Sequence, residues 1–207
     1  MVAGHVNREA CVEASGVLES CGKQLDLGAF SIPRGSLAAV EGEEAPVLFS
    51  AFVPPAKSCV RVFGAAAGGV EARAVTAIAT RDLQPVPGLT VLEHVLLAVR
   101  LGGPRRAGRE LDFSAALAAA GVAGHREAFA STLSAQGRFG LSLAMMMARP
   151  VPLWIVAAWN EEIGPLALEV LERHAADGNT VIVAGWSGRL RPAIRLLASG
   201  GRVQAVT

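Results

Sequence analysis

Charge of one sign, paired cysteines and long apolar runs are all missing from this chain. Its 207 residues carry 19 Lys and Arg against 18 Asp and Glu, a formal net charge of +1. With no excess of either sign, there is no electrostatic footprint for nucleic acid or for an anionic membrane surface. The local basic run Arg105, Arg106 and Arg109 reads as a solvated loop. Three cysteines, Cys11, Cys21 and Cys59, form no C-x-x-C pair. Neither a disulfide framework nor a zinc site is expected, and the usage fits a reducing cytosol. The opening MVAGHVNREA holds charges and no apolar segment, so no signal peptide is expected. The longest apolar run, near 151–159, is far shorter than the roughly 20 residues a membrane helix needs. The expectation is a soluble, cytoplasmic protein without direct membrane insertion.

What is present is a globular composition, 52% hydrophobic and 18% charged, long enough for one domain with a sizeable core. Leu25 to Ile32 alternates and predicts a strand; Pro33 to Gly35 predicts a turn, and Ser36 to Val40 a second strand. A helix is expected from near Pro46, a residue tolerated in the first turn. Cys59 to Phe63 and Val75 to Ala79 are further strand candidates, separated by a small-residue loop at Ala65 to Gly69. Arg81 to Gly88 is a turn-rich linker. Thr90-Val-Leu-Glu93 is a capping box that opens a helix to about Leu101, and a second helix is expected over Phe113 to Ala120. Ser134 is expected to cap a helix reaching Ala148, with its methionines in the core. The continuous apolar runs Pro152 to Ala158 and Thr180 to Ala184 predict strands buried on both faces, joined by a helix over Leu166 to Ala176. Arg195 to Ala198 and Arg202 to Val206 predict a hairpin. Strands crossed over by helices imply an α/β fold with a largely parallel sheet.

Six segments follow one another in a familiar order and spacing: LDLGAFSIPRGSLAAVEG, Val60 to Gly64, PGLTVLEHVLLAVRL, LSAQGRFGLSLAMMMARP, LWIVAAWNEEIGP and DGNTVIVAGWS. From about Gly16 to Val203 the chain resembles the nucleotide-binding subunit of ATP-binding cassette (ABC) transporters. The resemblance implies a P-loop NTPase-like, mostly parallel sheet with an antiparallel β part and a helical subdomain. Residues 1–15 would be an N-terminal extension or edge, 16–80 and 134–207 the core, and 81–133 the helical subdomain.

The family's functional residues do not carry over. In the phosphate loop, Gly42 matches the first glycine, but Val47 takes the second glycine's place, Leu48 the lysine's and Phe49 that of the hydroxyl residue. Such a loop works by aiming backbone N–H groups, a lysine charge and a metal-bound hydroxyl at the phosphates. Glu43 and Glu44 would stand where the phosphates rest; a carboxylate about 5 Å from one phosphate charge costs roughly 3 kcal/mol at an effective dielectric near 20. Alternatively, the two glutamates complement the N-terminus of the following helix, or the stretch is a drifted surface turn. The switch glutamine aligns with Arg81, or with Gln84 if the loop shifts. The signature keeps Leu133 and Ser134, while Ala135 and Gln136 replace its paired glycines ahead of Gly137. The metal-binding aspartate aligns with Ala157, the catalytic glutamate with Ala158, the proline between with Trp159, the later loop aspartate with Gly164 and the switch histidine with Trp186. Asn160, Glu161 or Glu162 would supply a substitute only by a slip in register, and one carboxylate without the lysine would not restore hydrolysis.

Other chemistry finds little support. Gly185-Trp-Ser-Gly188 resembles a nucleophile elbow with its second glycine one place early and no histidine after it. His5, His94, His125 and His174 have no metal-ligand spacing, and His94 reads as a satisfied packing residue. No G-x-G-x-x-G occurs. The resemblance therefore implies a pseudo-ATPase with no bound ATP, magnesium or other metal. Its partners would be a membrane-spanning permease subunit, an active ABC ATPase subunit or a second copy, met through Arg81, Gln84, Ser134, Gln136 and Trp159, at the inner face of the membrane. A scaffold or regulator unconnected with transport, using the old dimer face, is an alternative; an ATPase working with altered residues is another.

Overall fold

The computed structural model describes residues 10–20, 22–55, 57–101, 113–149, 151–158, 163–184 and 192–206. The first half contains β1 (Ala10–Ser20), β2 (Lys23–Pro33), β3 (Leu37–Glu41), α1 (Ala45–Phe49), β4 (Lys57–Val62), β5 (Ala65–Ala67), α2 (Val70–Ala74) and β6 (Thr76–Thr80). Then come α3 (Val91–Leu101), α4 (Phe113–Ala119), α5 (Ala135–Met147), β7 (Leu153–Ala157), α6 (Pro165–Ala176), β8 (Thr180–Ala184), β9 (Ile194–Ser199) and β10 (Arg202–Val206). The ten strands form one sheet, ordered β5-β4-β1-β2-β10-β9-β3-β8-β7-β6. From β9 to β6 neighbouring strands run parallel, while β5, β4, β1 and β2 are antiparallel. The expected α/β class, with a large mostly parallel sheet, an antiparallel part and packed helices, is the observed one.

The continuous apolar runs behave as expected: every residue of β7 and β8 is buried. Alternation along a strand sends successive side chains to opposite faces. Leu153, Ile155 and Ala157 thus join the core under α1, with Val40 and Ile182. Trp154, Val156 and Ala158 join the core under α5 and α6. A third cluster, around Val91, Val95, Leu117, Leu133 and Leu141, holds α3, α4 and α5 together. Here Gly140 is required: a Cβ on it would meet Ala120 O and Val122 Cγ1 at 2.7 Å each.

Both expected helix caps form. Thr90 N donates to Glu93 Oε2 at 2.7 Å and Glu93 N to Thr90 Oγ1 at 3.3 Å; the Thr90 amide, with the Thr90 hydroxyl donating to Glu93 Oε2 at 2.9 Å, holds the Glu93 carboxyl below its ordinary range. Gly137 N donates to Ser134 Oγ at 3.1 Å. At the opposite end of the sheet from the loops described below, His174 stacks on Trp154, ring centroids 3.5 Å apart and planes within 7°. Its Nε2 lies 3.2 Å from Val151 O. Burial pushes His174 down to about 4, against the opposing Val151 bond and the Asp177 charge.

Four elements depart from expectation. β1 begins at Ala10, so residues 10–15 lie in the sheet; its alternation is interrupted by Gly16, at φ +84°, where the register shifts. Ala65–Ala67 is a short strand rather than a loop, and α2 follows it. The first helix is only five residues, followed by a 3-10 turn at Ser50–Phe52 and then Pro54 and Pro55, which cannot continue a helix.

Candidate functional site

Because β3, β8, β7 and β6 run parallel, their C-terminal ends meet along one edge of the sheet. Val40 aligns with Ala184, Ala184 with Ala157, and Ala157 with Thr80. In open α/β sheets this edge is where ligands bind. It also brings together positions that lie far apart in the chain: Gly42 just beyond β3, Arg81 just beyond β6, and Ala157 and Ala158 at the end of β7. Ser142 Oγ, from α5, accepts from Thr80 N at 2.9 Å and pins the end of β6. Trp159, Asn160, Glu161, Glu162 and Trp186 lie outside the described residues.

The β3–α1 turn keeps a glycine-dependent geometry. Gly42 sits at φ +101°, and a Cβ there would be 2.2 Å from Ala198 O. The amides after it are directed at protein carbonyls: Glu44 N at Ala198 O (3.1 Å), Ala45 N at Gly42 O (3.2 Å), and Val47 N and Leu48 N at Glu44 O (2.9 and 3.3 Å). Val47, Leu48 and Phe49 are 8%, 2% and 7% exposed and belong to the core beneath the sheet, together with Ala157. Ala158 is also buried, with its amide on Ala184 O.

The two glutamates separate. Glu43 is exposed. Glu44 occupies the cap position of α1 and makes no side-chain hydrogen bond to that helix. Its carboxylate accepts instead from Gly201 N, in the β9–β10 turn, at 2.9 and 2.8 Å. Glu41 makes a two-pronged ion pair with Arg195 on β9, its oxygens 3.0 Å from Nε and Nη2. Glu41, Arg195, Ala198 and Gly201 were not legible as part of this site, because their partners lie more than 150 residues away and no local pattern marks the pairing.

Arg81 and Gln84 are exposed on the loop after β6. Ser134 and Gln136 are placed elsewhere, in a cleft of about 490 Å³ between the end of α4 and the N-termini of α5 and α6. That cleft is also lined by His125, Gly137, Gly140 and Gly164, and carries no residue of the β3–α1 turn or of β7. Among the described residues no cluster of three or more His, Cys, Asp or Glu is placed to hold a metal ion. No described helix is long and apolar enough to cross a membrane.

An edge of this kind, on a sheet of this order with a helical layer over α3 to α5, defines the fold of the ABC transporter ATP-binding subunits. A solved ATP-binding subunit of an ABC transporter superposes with a TM-score of 0.79 at 17% identity, covering 95% of this chain and 90% of that one. The structure of cbiO1 from Clostridium perfringens, part of the ABC transporter complex cbiONQ, gives 0.66 at 16% identity over 95% and 87%. An ATP-binding cassette solved as a dimer in a post-hydrolysis state, bound to ADP and phosphate, gives 0.71 at 15% over 93% and 96%. No protein-family model matches the sequence, and no curated protein matches it. At these identities the fold is what is shared.

Proposed function

We propose that this chain is a non-catalytic relative of the ABC ATP-binding subunits, a structural or regulatory partner in a transporter complex that neither binds nor hydrolyses ATP. The observation that carries this reading is the burial of Leu48. The residue in the place of the phosphate-binding lysine is 2% exposed within the apolar core, flanked by equally apolar Val47 and Phe49. Three further features support it. The amides of Glu44, Ala45, Val47 and Leu48 are taken up by protein carbonyls. Glu44 adds a negative charge where phosphates would require positive. At Ala157 and Ala158, the end of β7 offers methyl groups where magnesium and an attacking water would need carboxylates.

The likeness to a subunit of an assembled transporter complex and to a dimeric cassette supports the kind of partner: a membrane-spanning permease subunit, an active ATPase subunit or a second copy, at the inner face of the membrane. The exposed loop carrying Arg81 and Gln84 is the proposed contact for the permease. Ser134 and Gln136 lie on the proposed face toward another cassette.

Titration calorimetry with ATP and magnesium tests the loss of nucleotide. No heat is expected up to millimolar ATP; micromolar binding would overturn the reading. Co-purification from detergent-solubilised native membranes tests the partner. Recovery with a polytopic permease is expected, and a chain that emerges alone as a monomer removes the transporter role.

A further inference from the structure

Between β6 and α3 the chain runs as an irregular loop, residues 81–89, whose two ends are tied down. Thr80 N is held by Ser142 Oγ at one end, and Ala130 N donates to Leu89 O at 3.1 Å at the other. Its middle carries Pro85, Val86 and Pro87, and Val86 is 45% exposed. Prolines supply no amide, so Val86 has the central N–H available to anchor this stretch. That N–H donates to His94 Nε2 at 2.8 Å. His94 is 1% exposed, and its Nδ1 lies 2.8 Å from the oxygen of Thr90, the residue just before α3. The two bonds together select one tautomer: Nδ1 carries the proton and donates to Thr90 O, while the Nε2 lone pair receives the Val86 amide. A buried histidine with both nitrogens engaged in this way does more than fill space, because one of its bonds crosses from a helix to an exposed loop eight residues away.

We propose that His94 is the positioning residue of this loop: it fixes Val86 against the first turn of α3 and so presets the surface that the 81–89 segment offers to a partner. The functional half of the statement rests on the reading of that loop as the permease contact; the structural half does not. In the absence of the ring bond, the Val86 amide has no other described acceptor, and the Pro85–Pro87 stretch is free to explore alternatives before any partner arrives.

Amide hydrogen exchange on the isolated full chain tests the structural half. In His94→Leu, Val86 and its loop neighbours are expected to exchange about tenfold faster, the effect of losing one buried bond, with β7 and β8 amides unchanged. His94→Gln, whose amide oxygen reaches the same N–H, is expected to restore most of the protection. Unchanged exchange at Val86 in His94→Leu would overturn the proposal. So would a rise spread equally through β7 and β8, which would mark His94 as packing alone. The wild-type imidazole supplies a check that survives a misfolded variant: nitrogen shifts showing Nδ1 protonated and Nε2 bare are expected, and the reverse tautomer would refute the assignment. These measurements need no partner, so their failure would be distinct from failure to co-purify with a permease.

Discussion

The Glu44 carboxylate receives the Gly201 amide at 2.9 and 2.8 Å, joining the turn after β3 to the turn between β9 and β10 across 157 positions of sequence. A charged acceptor makes this one of the stronger hydrogen bonds in the molecule. Glu44→Ala is expected to cost about 1–2 kcal/mol, and Glu44→Gln less, in urea unfolding monitored by tryptophan fluorescence. A loss below a few tenths for the alanine variant would mean that water replaces the carboxylate at no cost.

Gly42 faces the same hairpin at closer range. Gly42→Ala combines a positive φ with a methyl directed at Ala198 O, and neither partner is a flexible side chain. The expected loss exceeds about 2 kcal/mol, with the unfolding midpoint as readout. The same substitution at Gly88, also at positive φ but with nothing within 4 Å, is expected to cost only the backbone strain.

Leu48→Lys restores the lysine of a phosphate loop in sequence. At a site 2% exposed and surrounded by Val47, Phe49 and Ala157, the ammonium is expected to destabilise the fold by about 3 kcal/mol or more and to leave ATP unbound. Gain of calorimetric ATP binding in this variant would mean that the loop rearranges to a phosphate-competent form.

Stability should depend on pH through His174. Its folded value, about 4, lies below the ordinary 6.5, so between those values the unfolded chain binds a proton that the folded one does not. The contribution is complete above about 6.5 and is lost as pH falls toward 4. After allowance for partial exposure it amounts to about 1–2 kcal/mol. His174→Phe keeps the stack on Trp154 and removes the titration; its stability curve should be flatter from pH 6.5 to 4, and an unchanged slope would assign the dependence to other groups.

Ser134→Ala removes the oxygen that receives Gly137 N. A loss of about 1 kcal/mol is expected, with helix α5 otherwise intact by circular dichroism.

Much of this architecture is written in short-range patterns. β7 and β8 are legible because strands buried on both faces must be apolar throughout, and α3 and α5 because Thr90, Glu93 and Ser134 announce their first turns. β1 is hidden by Gly16, which breaks the period that would reveal it, and β5 by being only three residues long. The candidate edge divides in the same way. Gly42, Ala157 and Ala158 are found by spacing along known elements. What Glu44 does is not, because its carboxylate is committed to a backbone amide whose proximity exists only after the sheet is assembled.

The clamp on the β3–α1 turn also imposes an order of events. Glu41 waits for Arg195, Gly42 for Ala198 and Glu44 for Gly201. Contacts of such separation form late, since a long loop must close before any of them gains free energy. During synthesis, residues 41–44 precede these partners by some 150 positions. A ribosome stalled before residue 195 has left the exit tunnel should therefore carry the turn at 41–44 without its clamp and open to protease, and the β9–β10 hairpin is the element that supplies the clamp.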